Sequence, residues 1–257
     1  MYRKLWRYRA LTFALVRRQY QLRYRQSAGG FAWALVPPVA SLFVSTLVFH
    51  TVLNVQSGQY PYALFTLAGL APWIFFSSGI SVGIPSITSS MTMVNRLAFP
   101  RGSLPLSMLG TSLIDFGLTA VLFVAYAYVS GIGLPVTALW FPLLIVPVIL
   151  FATGITLLGS AMNVFARDIR LALPLVTQLW LLITPVMYPL SQVPHSLRTW
   201  YLLNPMTGIV ESFRAILLYG NAPSFDLLAP AVVGSLVAMI LGGWYFGATE
   251  ARFADVI

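Results

Sequence analysis

Six apolar runs, at approximately residues 31–53, 62–84, 104–130, 139–164, 171–190 and 226–248, take up more than half of the chain. Each is near or above the roughly 20 apolar residues that a helix needs to cross a bilayer. Lipid offers no water to backbone amides, so segments of this kind fold as helices that satisfy their own hydrogen bonds. Charged residues make up only 8% of the sequence, against about 25% in soluble domains. The expectation is an all-α membrane protein: one six-span domain over residues 31–257, preceded by a distinct segment, residues 1–30.

Basic residues set the expected orientation. The 1–30 segment holds eight of them (Arg3, Lys4, Arg7, Arg9, Arg17, Arg18, Arg23, Arg25) and no acid. With that segment inside the cell, Arg96, Arg101, Arg167, Arg170 and Arg252 also fall inside, and only Arg198 and Arg214 face outside. Thirteen against two is the asymmetry of a positive-inside protein with both termini cytoplasmic. The net charge of +9 is therefore assigned to retention in the membrane and not to nucleic acid, because the cations sit at the ends of apolar runs. The first run follows about 30 Arg-rich residues and is longer than a signal peptide's apolar core, so no cleaved signal is expected. Without cysteine there is no disulfide framework and no thiolate ligand.

On a helical wheel Trp6, Phe13 and Tyr20 repeat every seven residues, with Val16 and Tyr24 beside them and most cations opposite. This pattern describes a helix lying in the headgroup layer, in contact with membrane lipids; the alternative is a solvated basic tail.

Between the second and third runs lies Met91 to Pro105. Ile87, Met91, Val94 and Ala98 recur at helical spacing, which predicts a short amphipathic helix over Ile87–Ala98. Pro100 disfavours helix at Phe99, and Pro105 suits the first turn of the next helix. A short helix held between two spans can take a push from outside and pass it to both. Asn95, Arg96, Phe99, Pro100 and Arg101 are the candidate contacts for a separate motor protein.

The segment 191–225 is cut by Pro194, Asn204-Pro205 and Pro223 into two pieces, roughly 195–202 and 206–219, each too short to cross. They are read as re-entrant half-helices lining a gate, or as a cap on the outer surface. Glu211 and Arg214 can pair at i,i+3 spacing. Tyr188, Pro189, Trp200, Asn204 and Pro205 complete the candidate gate set.

Little else in the chain suggests chemistry. The only lysine is Lys4, so no phosphate-binding Gly-Lys-Ser/Thr loop exists. His50 and His195 lack neighbouring carboxylates, which makes a metal site unexpected, and the serines have no His/Asp partner set. No catalytic residue is assigned. Asp115 is the one acid within a span: it marks function by default, or it is simply hydrogen-bonded within the bundle. Asp168 can cap the helix that follows it while Arg167 and Arg170 anchor to headgroups; a partner could also use these charges. Tyr60, Tyr62, Phe65, Trp73, Phe75 and Phe76, with Tyr188, Trp200 and Tyr201, form either an interfacial aromatic belt or a stacking surface for sugars.

Several stretches together resemble the permease subunits of type-2 ABC exporters, and among these the branch that exports lipid-linked polysaccharides such as O-antigen, capsule or teichoic acid. They are Arg23-Tyr24-Arg25-Gln26-Ser27 with Gly30, Trp33 and Pro37; Ala68-Gly69-Leu70-Ala71-Pro72-Trp73 with Phe76; and Asn95, Phe99-Pro100-Arg101 and Leu104-Pro105-Leu106. Arg167-Asp168-Ile169, Thr184-Pro185-Val186-Met187-Tyr188-Pro189, Val193-Pro194, Asn204-Pro205 and Phe213-Arg214 follow in order. The resemblance implies two permease copies and two ABC ATPase subunits. ATP and Mg would bind on the ATPase, which would dock on the segment between the second and third spans. The helices before the last span would gate the exit of a lipid-linked glycan. Other readings are a drug or lipid exporter of the same fold, or a polyprenyl-phosphate membrane enzyme. The enzyme would need clustered carboxylates or histidines where Asp168 stands alone.

Overall fold

The computed structural model describes residues 8–24, 33, 35–55, 58–91, 93 and 99–253. All regular structure among these residues is helical. The principal helices are α1 (Arg9–Tyr24), α2 (Val36–Ser45), α3 (Tyr62–Gly83), α4 (Ser103–Val129), α5 (Phe141–Phe165), α6 (Asp168–Ile183), α7 (His195–Leu202), α8 (Pro205–Leu217) and α9 (Phe225–Thr249). A π-helical stretch, Thr46–Val52, extends α2.

Among the described residues, four helices are long and apolar enough to span a membrane: Tyr62–Ser86, Ser103–Val129, Val136–Phe165 and Phe225–Arg252. Each agrees closely with an expected run. Val36–Val52 and Asp168–Ile183 are shorter. At 1.5 Å per residue, 16 residues reach about 24 Å, less than the roughly 30 Å of a hydrocarbon core. The fifth expected span, 171–190, ends early because Thr184 precedes Pro185. Its backbone is extended (φ −87°, ψ 130°), as the proline ring requires of the residue before it. Asp168 begins α6 but makes no capping hydrogen bond. Its carboxylate stands in the first turn, where the helix dipole favours it.

α3 is apolar on every side, so no face of it is suited to water. It is accordingly the central helix, buried from Tyr62 to Gly83 along most of its length. This corrects the aromatic reading: Tyr62, Phe65, Trp73, Phe75 and Phe76 are all at most 4% exposed and form core, not belt or binding surface. Phe76 stacks on Phe151 and meets Trp180 edge-on, with centroids 5.1 and 4.9 Å away.

Lipid is as apolar as leucine, so helices in a membrane are held together by close packing, which small residues permit. α5 and α9 meet at Gly154 and Gly242. A Cβ on Gly242 would lie 2.1 Å from the Gly154 carbonyl oxygen, and one on Gly154 would lie 2.3 Å from the Ala238 carbonyl carbon. Likewise α8 and α9 meet at Gly208, where a Cβ would lie 2.1 Å from the Leu227 oxygen. The helix α1 lies against α4 with Leu15 buried and Val16 over Gly110. Phe13, expected on the lipid-facing stripe with Tyr20, is on the outer side and 76% exposed; Trp6 lies outside the described residues.

Gly242→Val is expected to destabilise the bundle by about 1–3 kcal/mol, because the backbones must separate. Gly117→Val, where a Cβ meets nothing within 4 Å, should be neutral. Thermal melting of the two detergent-purified variants checks this; equal midpoints would show that the Gly154–Gly242 approach is dispensable.

Candidate functional site

The bundle has two contrasting ends. At the first, α1, the start of α4 and the ends of α3, α5 and α9 converge on one apolar cluster: Leu15, Ile87, Leu104, Leu157, Ala161, Val164, Phe246 and Phe253, flanked by Leu11, Met93 and Phe99. Arg17, Arg18, Arg167, Arg170 and Arg252 are exposed there. The expected amphipathic helix starts not as a separate element but as a continuation of α3 through the short turns Ile84–Ser86 and Thr88–Ser90. Asn95 and Arg96 lie outside the described residues. Phe99 and Pro100 are half-buried, and the Pro100 carbonyl accepts from the Ser103 amide at 2.9 Å, opening α4.

Arg101 is half-buried and bonded within the chain. Its backbone N–H donates to Glu250 Oε1 at 2.9 Å, and its guanidinium donates to the Glu250 carbonyl oxygen. One helix beginning and one helix end thereby cap each other. Glu250 was absent from the sequence reading, and 149 positions separate the partners.

The second end is organised by Arg214. Far from facing outside as a loop charge, it is fully buried. Between α6 and α7 the chain leaves the helix at Thr184 and runs irregularly to Leu190. Carbonyls in such a stretch have no helical partners, and within a membrane protein they must find donors elsewhere. Arg214 supplies them. Nη1 donates to the Pro185 oxygen at 2.7 Å and the Tyr188 oxygen at 3.4 Å, and Nη2 to the Val186 oxygen at 2.5 Å. Nε donates to the Phe65 oxygen of α3 at 3.4 Å. Glu211, at the expected i,i+3 position, balances the charge at 2.7 Å. The guanidinium carbon lies 3.6 Å from the Phe65 ring centroid, a cation–π arrangement. Gly69 completes the recess: its missing Cβ would sit 3.0 Å from Nη2.

Neighbouring groups fasten the same loop. Tyr62 Oη donates to the Met187 oxygen at 2.7 Å. Asn204 caps α8 by accepting from the Met206 amide at 3.2 Å, accepts from Trp180 Nε1 at 3.1 Å, and donates to Thr184 Oγ1 at 2.9 Å. Pro205 follows at the first helical position, where its missing N–H costs nothing. Tyr188 and Tyr201 hydroxyls lie 3.2 Å apart. Tyr188, Pro189, Asn204, Pro205, Glu211 and Arg214 are thus brought into one latch. Trp200 is not part of it and is 72% exposed. Sequence reasoning missed Tyr62, Phe65, Gly69 and Trp180 as latch residues.

A cavity of about 460 Å³ opens beside the latch, lined by Gln59, Tyr60, Phe65, Pro189, Gln192 and Tyr219 among others. A second, wholly apolar cavity of about 430 Å³ lies between α3, α4, α5 and α8. Asp115 is 4% exposed on the buried side of α4, and Thr119 Oγ1 donates to its backbone oxygen at 3.0 Å. Among the described residues no cluster of His, Asp or Glu could hold a metal ion.

Arg214→Met should cost about 3–5 kcal/mol, since it leaves Glu211 as an uncompensated, largely buried charge and strands the loop carbonyls. Arg214→Lys should recover little, because a point ammonium cannot serve the same fan of acceptors. Trp200→Ala should change neither stability nor loop protection. Melting curves and limited proteolysis at 184–190 check all three; a stable, protease-resistant Arg214→Met protein would refute the latch.

The model of the ABC-2 type transporter family matches residues 10–218. The chain is 30% identical over 257 residues to the O-antigen export system permease protein RfbA of Myxococcus xanthus, covering 99% of this chain and 98% of that protein. It is 24% identical to RfbA of Klebsiella pneumoniae, covering 96% and 95%. It is 23% identical to the polysialic acid transport protein KpsM of Escherichia coli, covering 89% of each. A family match over most of the chain and a relative at this identity over nearly all of it lead to one conclusion: the chain belongs to the ABC-2 type transporter family.

Proposed function

We propose that this chain is the membrane permease subunit of an ATP-driven exporter of lipid-linked polysaccharide. The observation that carries the reading is its end-to-end similarity to an O-antigen export permease. Two copies pair around the export path, and each engages a separate ABC ATPase that binds ATP and Mg. The protein sits in the cytoplasmic membrane with both termini inside. In this reading α2 and α6 also cross, giving six spans, and local thinning or flanking side chains accommodate their shortness.

The exposed arginines gathered at the α1 end support placing that end in the cytoplasm. Asn95, Arg96, Phe99 and Pro100 then form the ATPase-docking segment between α3 and α4. The latch at the other end belongs to the extracytoplasmic exit, with α7 and α8 as its re-entrant gate. Asp115, buried in the bundle, serves packing and not proton coupling.

In cells lacking the native permease, Arg96→Glu and Phe99→Ala should accumulate normally yet reduce surface glycan at least about tenfold, because the transmitting step fails while the spans persist. Asp115→Asn should export whenever it folds. The purified chain alone should hydrolyse no ATP, and should form an active ATPase only with its partner subunit. Surface glycan, protein level and ATPase co-purification are the measurements. Robust ATP turnover by the isolated chain, or full export by both docking variants, would overturn the reading.

A further inference from the structure

We infer that the Arg101–Glu250 clamp is the joint through which movement of the α3–α4 segment reaches the latch, with α9 as the rod between them. The inference rests on the exporter reading above and assigns a positioning role to Glu250. The clamp is reciprocal. Glu250 Oε1 takes the Arg101 amide just ahead of α4, and the Arg101 guanidinium takes the Glu250 carbonyl at the end of α9. The Glu250 carbonyl also accepts from the Phe253 N–H in the short turn that follows α9, and the two reciprocal bonds tie the start of α4 to the end of α9. Phe253, three residues on, is fully buried against Phe246 at 5.4 Å and Phe165 at 6.0 Å. The end of α9 is therefore wedged into the cluster that also holds Phe99 and Ile87.

The rest of α9 has little freedom to absorb a displacement. Gly242 rides on the backbone of α5 at Gly154, and Gly234 faces Pro205, whose Cγ lies 2.6 Å from where a Cβ would stand. Near its start, the Leu227 oxygen abuts Gly208 of α8. α8 in turn carries Arg214, which holds the loop 184–190. An axial shift of α9 is transmitted from Glu250 to the foot of α8 through backbone contacts, where side-chain rearrangement offers no slack.

The experiment uses the permease–ATPase complex in proteoliposomes, with ATP hydrolysis and glycan transport measured side by side. Glu250→Ala should assemble with the ATPase and hydrolyse ATP within about twofold of the wild type, and in both Glu250→Ala and Arg101→Ala glycan moved per ATP should fall about tenfold. Glu250→Gln, whose amide oxygen still accepts from the Arg101 N–H, should restore most of that ratio. Because the chain has no native cysteine, the pair Arg101→Cys and Glu250→Cys provides a test within one folded sample. Joining the two thiols with a short cleavable reagent should raise transport per ATP, and cleaving it should lower the ratio again. An unchanged ratio in the alanine variants, or one indifferent to the cross-link, overturns the clamp. Loss of ATP turnover, protein level and transport together, without rescue by Glu250→Gln, reduces it to a tether and also overturns it. A wild-type complex that couples no ATP turnover to transport overturns the exporter reading, and the inference with it.

Discussion

A buried backbone polar group needs a partner supplied by the protein itself, and in the stretch 184–190 a side chain supplies it where the helix has ended. Thr184-Pro185 ends a helix well short of a full span, and the carbonyls beyond it have no turn of their own to accept from. A buried cation solves the problem because guanidinium carries five N–H groups in a fixed plane and no acceptor. Three loop carbonyls and one on α3 converge on Arg214. The arrangement depends on Glu211 for charge and on Gly69 for room. Remove the arginine and these loop carbonyls lose the donors that hold them.

The same scarcity of driving force explains why glycine appears where helices touch. Hydrophobic burial does not distinguish a neighbouring helix from a lipid tail, so association relies on van der Waals contact and on direct backbone approach. α9 illustrates this most clearly. It is widely exposed along its length, yet its contacts at Gly242 and with Gly208 bring backbone against backbone. Such contacts resist small displacements more stiffly than interleaved side chains, which can change rotamer. A helix whose side-chain packing is reinforced at such points behaves as a rod with fixed bearings.

Much of this was legible in the residues. Four of the apolar runs became helices whose ends agree within a few positions, because apolar length is what a bilayer selects. His195–Leu202 and Pro205–Leu217 also match, since prolines mark their starts unambiguously. Only the end of the fifth run was set too far on, for a physical reason: Val186, Met187 and Leu190 are as apolar as any helix, and hydropathy does not register that Thr184 has left helical geometry. Arg214 was misplaced because a positive-inside count treats each cation as a loop charge. Its carbonyl acceptors are 26, 28, 29 and 149 positions away, and only the Glu211 pairing follows a local pattern. Glu250 was invisible for the same reason. The aromatic cluster near Tyr62 looked like a belt only because ring content alone does not reveal that α3 has no outward face.

The two ends of the bundle differ in kind, and the difference bears on how such a protein can work. The latch end is saturated with hydrogen bonds that a small displacement would break several at a time. Among the described residues the opposite end has fewer of them: an apolar cluster, the Asn163–Thr88 hydrogen bond and the reciprocal Arg101–Glu250 clamp. A force applied between α3 and α4 thus enters where the structure yields and is carried by α9 to where it does not. Bistable elements respond to small inputs because packed interfaces switch instead of bending gradually. The latch, in which one side chain holds four carbonyls, is of that type: it is either closed around Arg214 or it is not.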